Sequence, residues 1–319
     1  MAEHQLHPDD RTLHGFFSRG YEPVLRIQSG DTILASTLDA GWGLEQIRPD
    51  RQRARHPKIA DSDEHGHALI GPVWIEGAQP GMTLVVHIEE IVPGSFGYTF
   101  AGGWDHPVHT GLKLTEGESD VLVWTLDAQT MIGTNQHGHR LRLKPFLGVM
   151  GMPPPEEGLH PTAPPRIWGG NIDCRDLVAG TRLYLPIPVE GGLFSFGDGH
   201  AAQGQGEVSV TAIECPMERV RLRLEVLPDL KISTPRAWTP DGWLTLGFGA
   251  TLEQATFTAL DAMLTLMREL YGLPGRGQAL GLATALVDLH ITQIANPALG
   301  VHAFLPHDAL MVDTQTSSS

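Results

Sequence analysis

Glycine and proline interrupt this chain so often that long helices have little room. There are 37 glycines and 24 prolines in 319 residues. Glycine opens positive-φ turns, and proline breaks helices and central strands alike. Between the breaks lie short runs of β-propensive residues. Pro23-Val24-Leu25-Arg26-Ile27, Thr32 to Leu38, Gly71 to Ile75 and Met82 to Ile88 all have this character. Val220 to Val226 alternates apolar and charged residues strictly, the pattern of a half-buried strand. The expected fold is α+β and β-rich, with an antiparallel, sandwich-like β core and helices near the C-terminus.

Those helices are read from two periodic segments. Leu252, Ala255, Ala259, Met263, Leu266 and Leu270 recur at helical spacing from Thr251 to Tyr271. Thr251 and Gln254 form a capping-box pattern, and Gly272 with Pro274 stops the helix. A second helix is expected from Gln278 to Ile294. The implied division is a β-rich part over residues 1–230 carrying the functional loops, and a helical part over 231–319 packed on it, the two forming one continuous domain if the boundary is soft. Pro145 to Pro165 is proline-rich and is expected to be neither a central strand nor a helix. Residues 50–67 read as an exposed polar loop, and the Ser/Thr-rich tail after Val312 as frayed.

Charge and composition exclude several classes. The formal net charge is −15, which leaves no basic excess to neutralise phosphates, so no nucleic-acid partner is expected. No apolar run approaches a membrane span, and the polar N-terminus Met1 to Asp10 has no signal-peptide core. Cys174 and Cys215 are too few for a disulfide framework, which suits a reducing compartment. A cytoplasmic protein is the expectation.

One segment concentrates reactive chemistry. Gly197-Asp198-Gly199-His200-Ala201-Ala202-Gln203-Gly204-Gln205-Gly206-Glu207 holds four glycines, one histidine and two carboxylates. It lacks the Lys and Ser/Thr of a phosphate-binding loop, and its carboxylates would repel phosphate. Its residue types suit a metal or proton transfer, although composition alone leaves a solvated hairpin equally open. Gly169-Gly170-Asn171-Ile172-Asp173 repeats the pattern upstream. If Leu183 to Val189 and Leu193 to Phe196 are neighbouring strands, the two glycine loops meet. Asp39, at a strand end beside Gly41 and Trp42, is a third candidate carboxylate. The pairs His65/His67 and His137/His139, together with His106 and His109, read as ordinary solvated histidines in a chain with 16 of them. Cys174, beside Asp173, lacks the electropositive surroundings of a nucleophile.

These segments resemble the acetamidase/formamidase family. The Gly169–Asp173 phrase, Leu185-Pro186-Ile187-Pro188-Val189 and the Gly197–Glu207 phrase carry the likeness. Gly71 to Gly81 and Ala283 to Gln293 extend it. Gln205 stands where the family usually shows Asp, Ile172 where Met is frequent, and His67 to Ile70 replaces a commoner polar lead.

The resemblance implies hydrolysis of short linear amides to a carboxylate and ammonia, a homo-oligomer, and a divalent metal, zinc before calcium. Carried onto this chain, it implies Asp173 and His200 as ligands, with Asp198 or Asp39 completing the set. Glu207, with Asp173, is the expected acid–base group. Asn171 and the backbone at Gly199 or Gly206 are the expected substrate contacts. The alternatives are a metal- or ligand-binding protein without turnover, and a hydrolase of larger or cyclic amides, with Trp42, Trp104 and Trp168 shaping its pocket.

Overall fold

The structure is a computed structural model describing residues 1–48, 50–59 and 66–311. His65 and the tail from Val312 onward therefore lie outside the described residues.

Strands dominate, as the punctuation predicts, and they build two large sheets around a shared core. The nine-stranded sheet runs Glu3–Leu6, Thr32–Ala35, Met217–Leu227, Thr83–Pro93, Arg182–Pro186, Arg236–Trp238, Gly242–Gly249, Leu299–Pro306 and Asp288–Gln293. All its pairs are antiparallel except the first. Its two longest strands, Thr83–Pro93 and Met217–Leu227, bury Leu84, Val86 and Ile88 beside Val220, Leu222 and Leu224. The second sheet orders Gly169–Asn171, Phe146–Gly151, Phe194–His200, Leu69–Ile75 and Leu13–His14, with Leu25–Ile27 also on Leu69–Ile75. Ile70, Val73, Leu147, Phe194 and Phe196 of this sheet join the first sheet's residues in one hydrophobic cluster. A four-stranded sheet, Arg140–Arg142 to Phe96–Ala101, flanks them.

The first of the two expected C-terminal helices spans Leu252–Tyr271. Thr251 accepts the Gln254 N–H as its cap, and Gly272 closes the helix at φ 63°. Ala255, Ala259, Met263 and Met267 pack on Val301, Ala303 and Leu305 of the sheet.

Three expectations need correction. The second helix covers only Arg276–Leu286, and Asp288–Gln293 is an edge strand. The apolar spacing there fits both periods, and the β-propensive Leu289, Ile291 and Thr292 pair with Leu299–Pro306. Next, Phe146–Gly151 inside the proline-rich segment is a fully buried central strand. It is possible because the prolines flank it, at 145 and from 153 onward, and none falls within it. Finally, Arg182–Pro186 and Phe194–His200 lie in different sheets. The two glycine segments meet instead on either side of Phe146–Gly151. The C-terminal strands from Arg236 onward share the sheet of the N-terminal ones, so position 230 falls within a continuous sheet.

Candidate active site

Asp198 and His200 sit on a strand, not on a loop. Phe194–His200 is buried along its whole length. Its glycines supply room more than freedom. A Cβ at Gly197 would meet the Ala68 carbonyl oxygen at 2.3 Å, and one at Gly199 would meet that of Cys215 at 2.5 Å. The alternation therefore packs Gly197 and Gly199 tightly on one face and sends Asp198 and His200 to the other. Only the residues after His200 form the connecting loop that ends at Glu207.

Asp173 reaches the same face from the end of Gly169–Asn171. Glu214 arrives by an isolated bridge to His200. The result is four carboxylates around one imidazole: Asp173, Asp198, Glu207 and Glu214 about His200. All five are at most 6% exposed. Asp173, Asp198 and Glu207 have φ of 50°, 58° and 46°, a left-handed conformation that costs a non-glycine residue about 1–3 kcal/mol. Three strained residues in one cluster indicate side chains aimed at a shared point.

The imidazole organises the cluster. His200 Nδ1 is 2.9 Å from Gln203 Oε1, an acceptor only, so Nδ1 carries a proton and Nε2 is the nitrogen turned inward, which would offer a lone pair once a cation displaces its proton. Nε2 is 3.3 Å from both Asp198 Oδ1 and Glu214 Oε2. Neither oxygen has a hydrogen-bond partner, and Asp173 Oδ1 and Glu207 Oε2 also lack one. Four unpartnered carboxylate oxygens in a buried space are costly unless a cation or protons join them. The donor atoms fall into two groups sharing His200: Asp198, His200 and Glu214, and Asp173, His200 and Glu207, each within 4.8 Å. Gly148, on the neighbouring strand, faces the centre. A Cβ there would lie 2.3 Å from Asp198 Oδ2 and 2.6 Å from Asp173 Oδ1. The space is kept clear, and the donors fit a divalent cation.

Proton affinities divide the carboxylates. Burial pushes Asp173 up to about 7, against the pull of His200. Burial also raises Glu207 well above its ordinary value, and the Asp173 charge adds to it. Asp198 is desolvated too, but the His200 charge outweighs that and holds it down at about 2. His200 itself is raised well above its usual value, because Glu214 and Asp198 overcome its desolvation. Asp173 and Glu207 are thus the groups able to keep a proton, while Asp198 is suited to stay an anion. Asn296 fixes Asp173, donating to Oδ2 at 2.6 Å, and Asn171 donates in turn to Asn296 Oδ1 at 3.0 Å. Asn171 Oδ1 remains without a partner.

Asp198, His200, Glu207 and Glu214 line a cavity of about 400 Å³, whose wall also includes Trp42, Arg53, His67, Tyr98, Asn171 and Asn296. His67 enters with Nδ1 2.8 Å from Thr162 Oγ1.

Asp39 is in neither donor group. Its Oδ2 meets Arg53 Nη1 at 2.7 Å and its Oδ1 accepts from the backbone of Gly41 and Gly43. Gly206 N–H donates to the Thr292 carbonyl at 3.0 Å, so that group is already engaged, and a Cβ at Gly199 would point at the Cys215 carbonyl. Of the tryptophans, Trp42 lines the cavity, while Trp104 and Trp168 are not among its lining residues. Of the histidines thought ordinary, His106 caps the short helix Pro107–Leu112 and His139 meets Asn135. Burial pushes the Cys174 thiol up to about 12, as expected of an unreactive cysteine.

Glu214, Gln203, Asn296 and Gly148 were missed by motif reasoning. For Glu214 a signal existed: a lone carboxylate in the apolar run Ala212-Ile213-Glu214-Cys215 has to be buried with a purpose.

With this geometry in hand, comparison with known proteins is specific. Residues 2–161 and 155–240 match the model of the Acetamidase/Formamidase family. An acetamidase from Mycolicibacterium smegmatis is 28% identical over 199 residues, covering 45% of this chain and 49% of its own. A formamidase from Methylophilus methylotrophus is 27% identical over 253 residues, covering 63% and 60% respectively. The chain thus spans about half to three-fifths of the length of these curated relatives. Among solved structures, an acetamidase from Bacillus halodurans superposes with a TM-score of 0.81 at 26% identity, covering 95% of this chain and 97% of that one. Among the described residues, no helix is long and apolar enough to cross a membrane.

Proposed function

The chain belongs to the acetamidase/formamidase family, and on that premise we propose that it hydrolyses short linear amides to a carboxylate and ammonia at the His200 cluster. The observation that carries the proposal is the buried set of four carboxylate oxygens without partners around one imidazole, beside an open cavity.

Asp198, His200 and Glu214 would hold a divalent cation, with zinc the best fit to one nitrogen and two carboxylate donors. Such an ion polarises an amide carbonyl and lowers the pKa of water to about 7. The chain's own residues supply the rest. Gln203 holds the His200 tautomer. Asn171 Oδ1, with no partner of its own, accepts an N–H of the substrate amide and so orients its nitrogen. Glu207 takes the proton of the attacking water and returns it to the leaving nitrogen. Its raised proton affinity suits the second half of that cycle, in which a carboxyl must act as an acid near neutral pH. Asp173, pinned by Asn296, keeps that affinity high.

The cavity is roomy for a two-carbon amide, which favours bulkier amides as a second reading. Ammonia release from formamide, acetamide, propionamide and longer or cyclic amides by zinc-loaded protein tests both. Turnover of the shortest amides supports the first reading, and turnover only of larger ones the second. No ammonia from any of them leaves a binding protein. Homo-oligomerisation belongs to the same reading and is checked by light scattering. The two free cysteines, both buried, suit the reducing cytoplasm, which localisation of a tagged chain checks.

A further inference from the structure

Behind the two loops that carry Asp173 and Glu207 lies a second cavity of about 380 Å³, whose wall includes Lys144, Arg175, Asp176, Gln205, His290 and His302. None of these residues contributes to the His200 cluster. Two of its lining residues, Asp176 and His302, meet the fully buried Cys174 behind the wall, and the donor atoms of the three all lie within 4.8 Å of one another. We propose that these three side chains form a second metal site, specific for a thiolate-accepting divalent cation such as zinc.

The observation that points to a ligand is His302. It is 1% exposed, and its Nε2 has no hydrogen-bond partner. Nε2 lies 3.7 Å from Asp176 Oδ2, too far for a hydrogen bond and close enough to share an ion. The opposite nitrogen, Nδ1, is 2.8 Å from Thr292 Oγ1. With the ring proton on that side, Nε2 presents a lone pair to Asp176 and Cys174. His290 stacks on the ring at 5.1 Å with planes 10° apart, which fixes its orientation.

The carboxylate is held with equal care. Gln205 Nε2 donates to Asp176 Oδ2 and Lys144 Nζ to Oδ1, each at 2.8 Å. Ligands oriented by a second layer of hydrogen bonds are the usual surroundings of a protein-bound metal. Imidazole, carboxylate and thiolate together favour zinc over hard cations. Binding would displace the Cys174 proton to solvent. Thiolate and carboxylate then balance the dication, and Lys144 keeps its contact to Oδ1. Three protein donors leave a fourth position open to the cavity. Such a site would tie the Asp173–Asp176 segment to the strand Leu299–Pro306. Gln205, the departure from the family pattern, would serve it as an orienting residue.

The sulfur donor makes the test independent of the amidase reading, because the His200 donor groups contain no cysteine. Full-length metal-free protein is titrated with Co²⁺ while near-ultraviolet absorbance is followed. The expected result is a thiolate-to-cobalt charge-transfer band that saturates by two equivalents per chain, one for each site, with an intensity corresponding to a single cobalt–thiolate bond. It should persist in Glu214→Gln, disappear in Cys174→Ser and weaken at least tenfold in apparent affinity in His302→Gln. Absence of the band in the wild-type chain overturns the proposal, as does its survival in Cys174→Ser. Because the wild-type titration decides by itself, misfolding of a variant does not protect the proposal.

Discussion

Arg53 Nη1 lies 2.7 Å from Asp39 Oδ2, with both side chains sealed from solvent. The guanidinium also lies 4.5 Å from the centre of the Tyr98 ring, and Nη2 donates to its hydroxyl at 3.1 Å. Asp39 therefore shapes the cavity wall through Arg53. Removing one partner strands the other's charge, which costs about 3–5 kcal/mol in a buried pair. Asp39→Ala should lower the unfolding free energy obtained from urea titration by an amount of that order. Asp39→Asn should leave bound metal unchanged, and loss of metal in that variant would show that Asp39 is a ligand after all.

Glu207→Gln keeps the shape and removes the movable proton. We expect kcat for the best amide to fall by roughly 10²- to 10⁴-fold. KM should change little, and metal content should stay at the wild-type level. Activity within a factor of three of wild type would assign the proton transfer to another group. Asp173 would be the first to examine, since burial raises its proton affinity too and its charge adds to that of Glu207.

Gly148→Ala is the smallest change that fills the space the cluster keeps open. The added methyl would lie 2.3 Å from Asp198 Oδ2 and 2.9 Å from His200 Cε1. Neither neighbour can retreat far, since Gln203 holds the ring and the strand holds Asp198. Metal analysis of the folded variant should show at least a tenfold loss of affinity at the His200 cluster. Wild-type affinity would place the ion away from the face Gly148 defines.

Much of this site was legible in the sequence, and the rest was hidden for identifiable reasons. His200, Asp173 and Glu207 stood out because glycine-flanked reactive residues are locally unusual, and Asp198 came with them. Their φ values show what the glycine-rich context conceals: three of the non-glycine residues carry the left-handed backbone, while Gly197 and Gly199 are there for close packing. Asn296 is far away in sequence and surrounded by ordinary residues, so only the tertiary path reveals it, whereas Glu214 follows Glu207 closely and was marked only by its apolar neighbours. The long helix Leu252–Tyr271 was readable because capping, periodicity and stop signal agreed. The strand Asp288–Gln293 was not, because an apolar run of that length satisfies two periods and only its pairing partner chooses.

The pH dependence of stability gives a separate handle on Asp173. Its folded-state value is pushed up to about 7 from an ordinary value of 3.8. Between those limits the folded chain keeps a proton that the unfolded chain has released. The unfolded state therefore binds fewer protons there, and the contribution of this carboxyl to stability declines as pH rises. Asparagine at the same position does not titrate. In metal-free protein, the urea midpoint of Asp173→Asn relative to wild type should climb steadily from about pH 4 to pH 7 and level off above. Lost contacts to Asn296 shift the whole curve but not its slope. A bound dication favours the ionised carboxylate, so saturating zinc should flatten or invert the trend. A difference that stays constant from pH 4 to pH 7 without metal would mean that Asp173 is already ionised in the folded chain, and that the cluster's spare proton resides on Glu207.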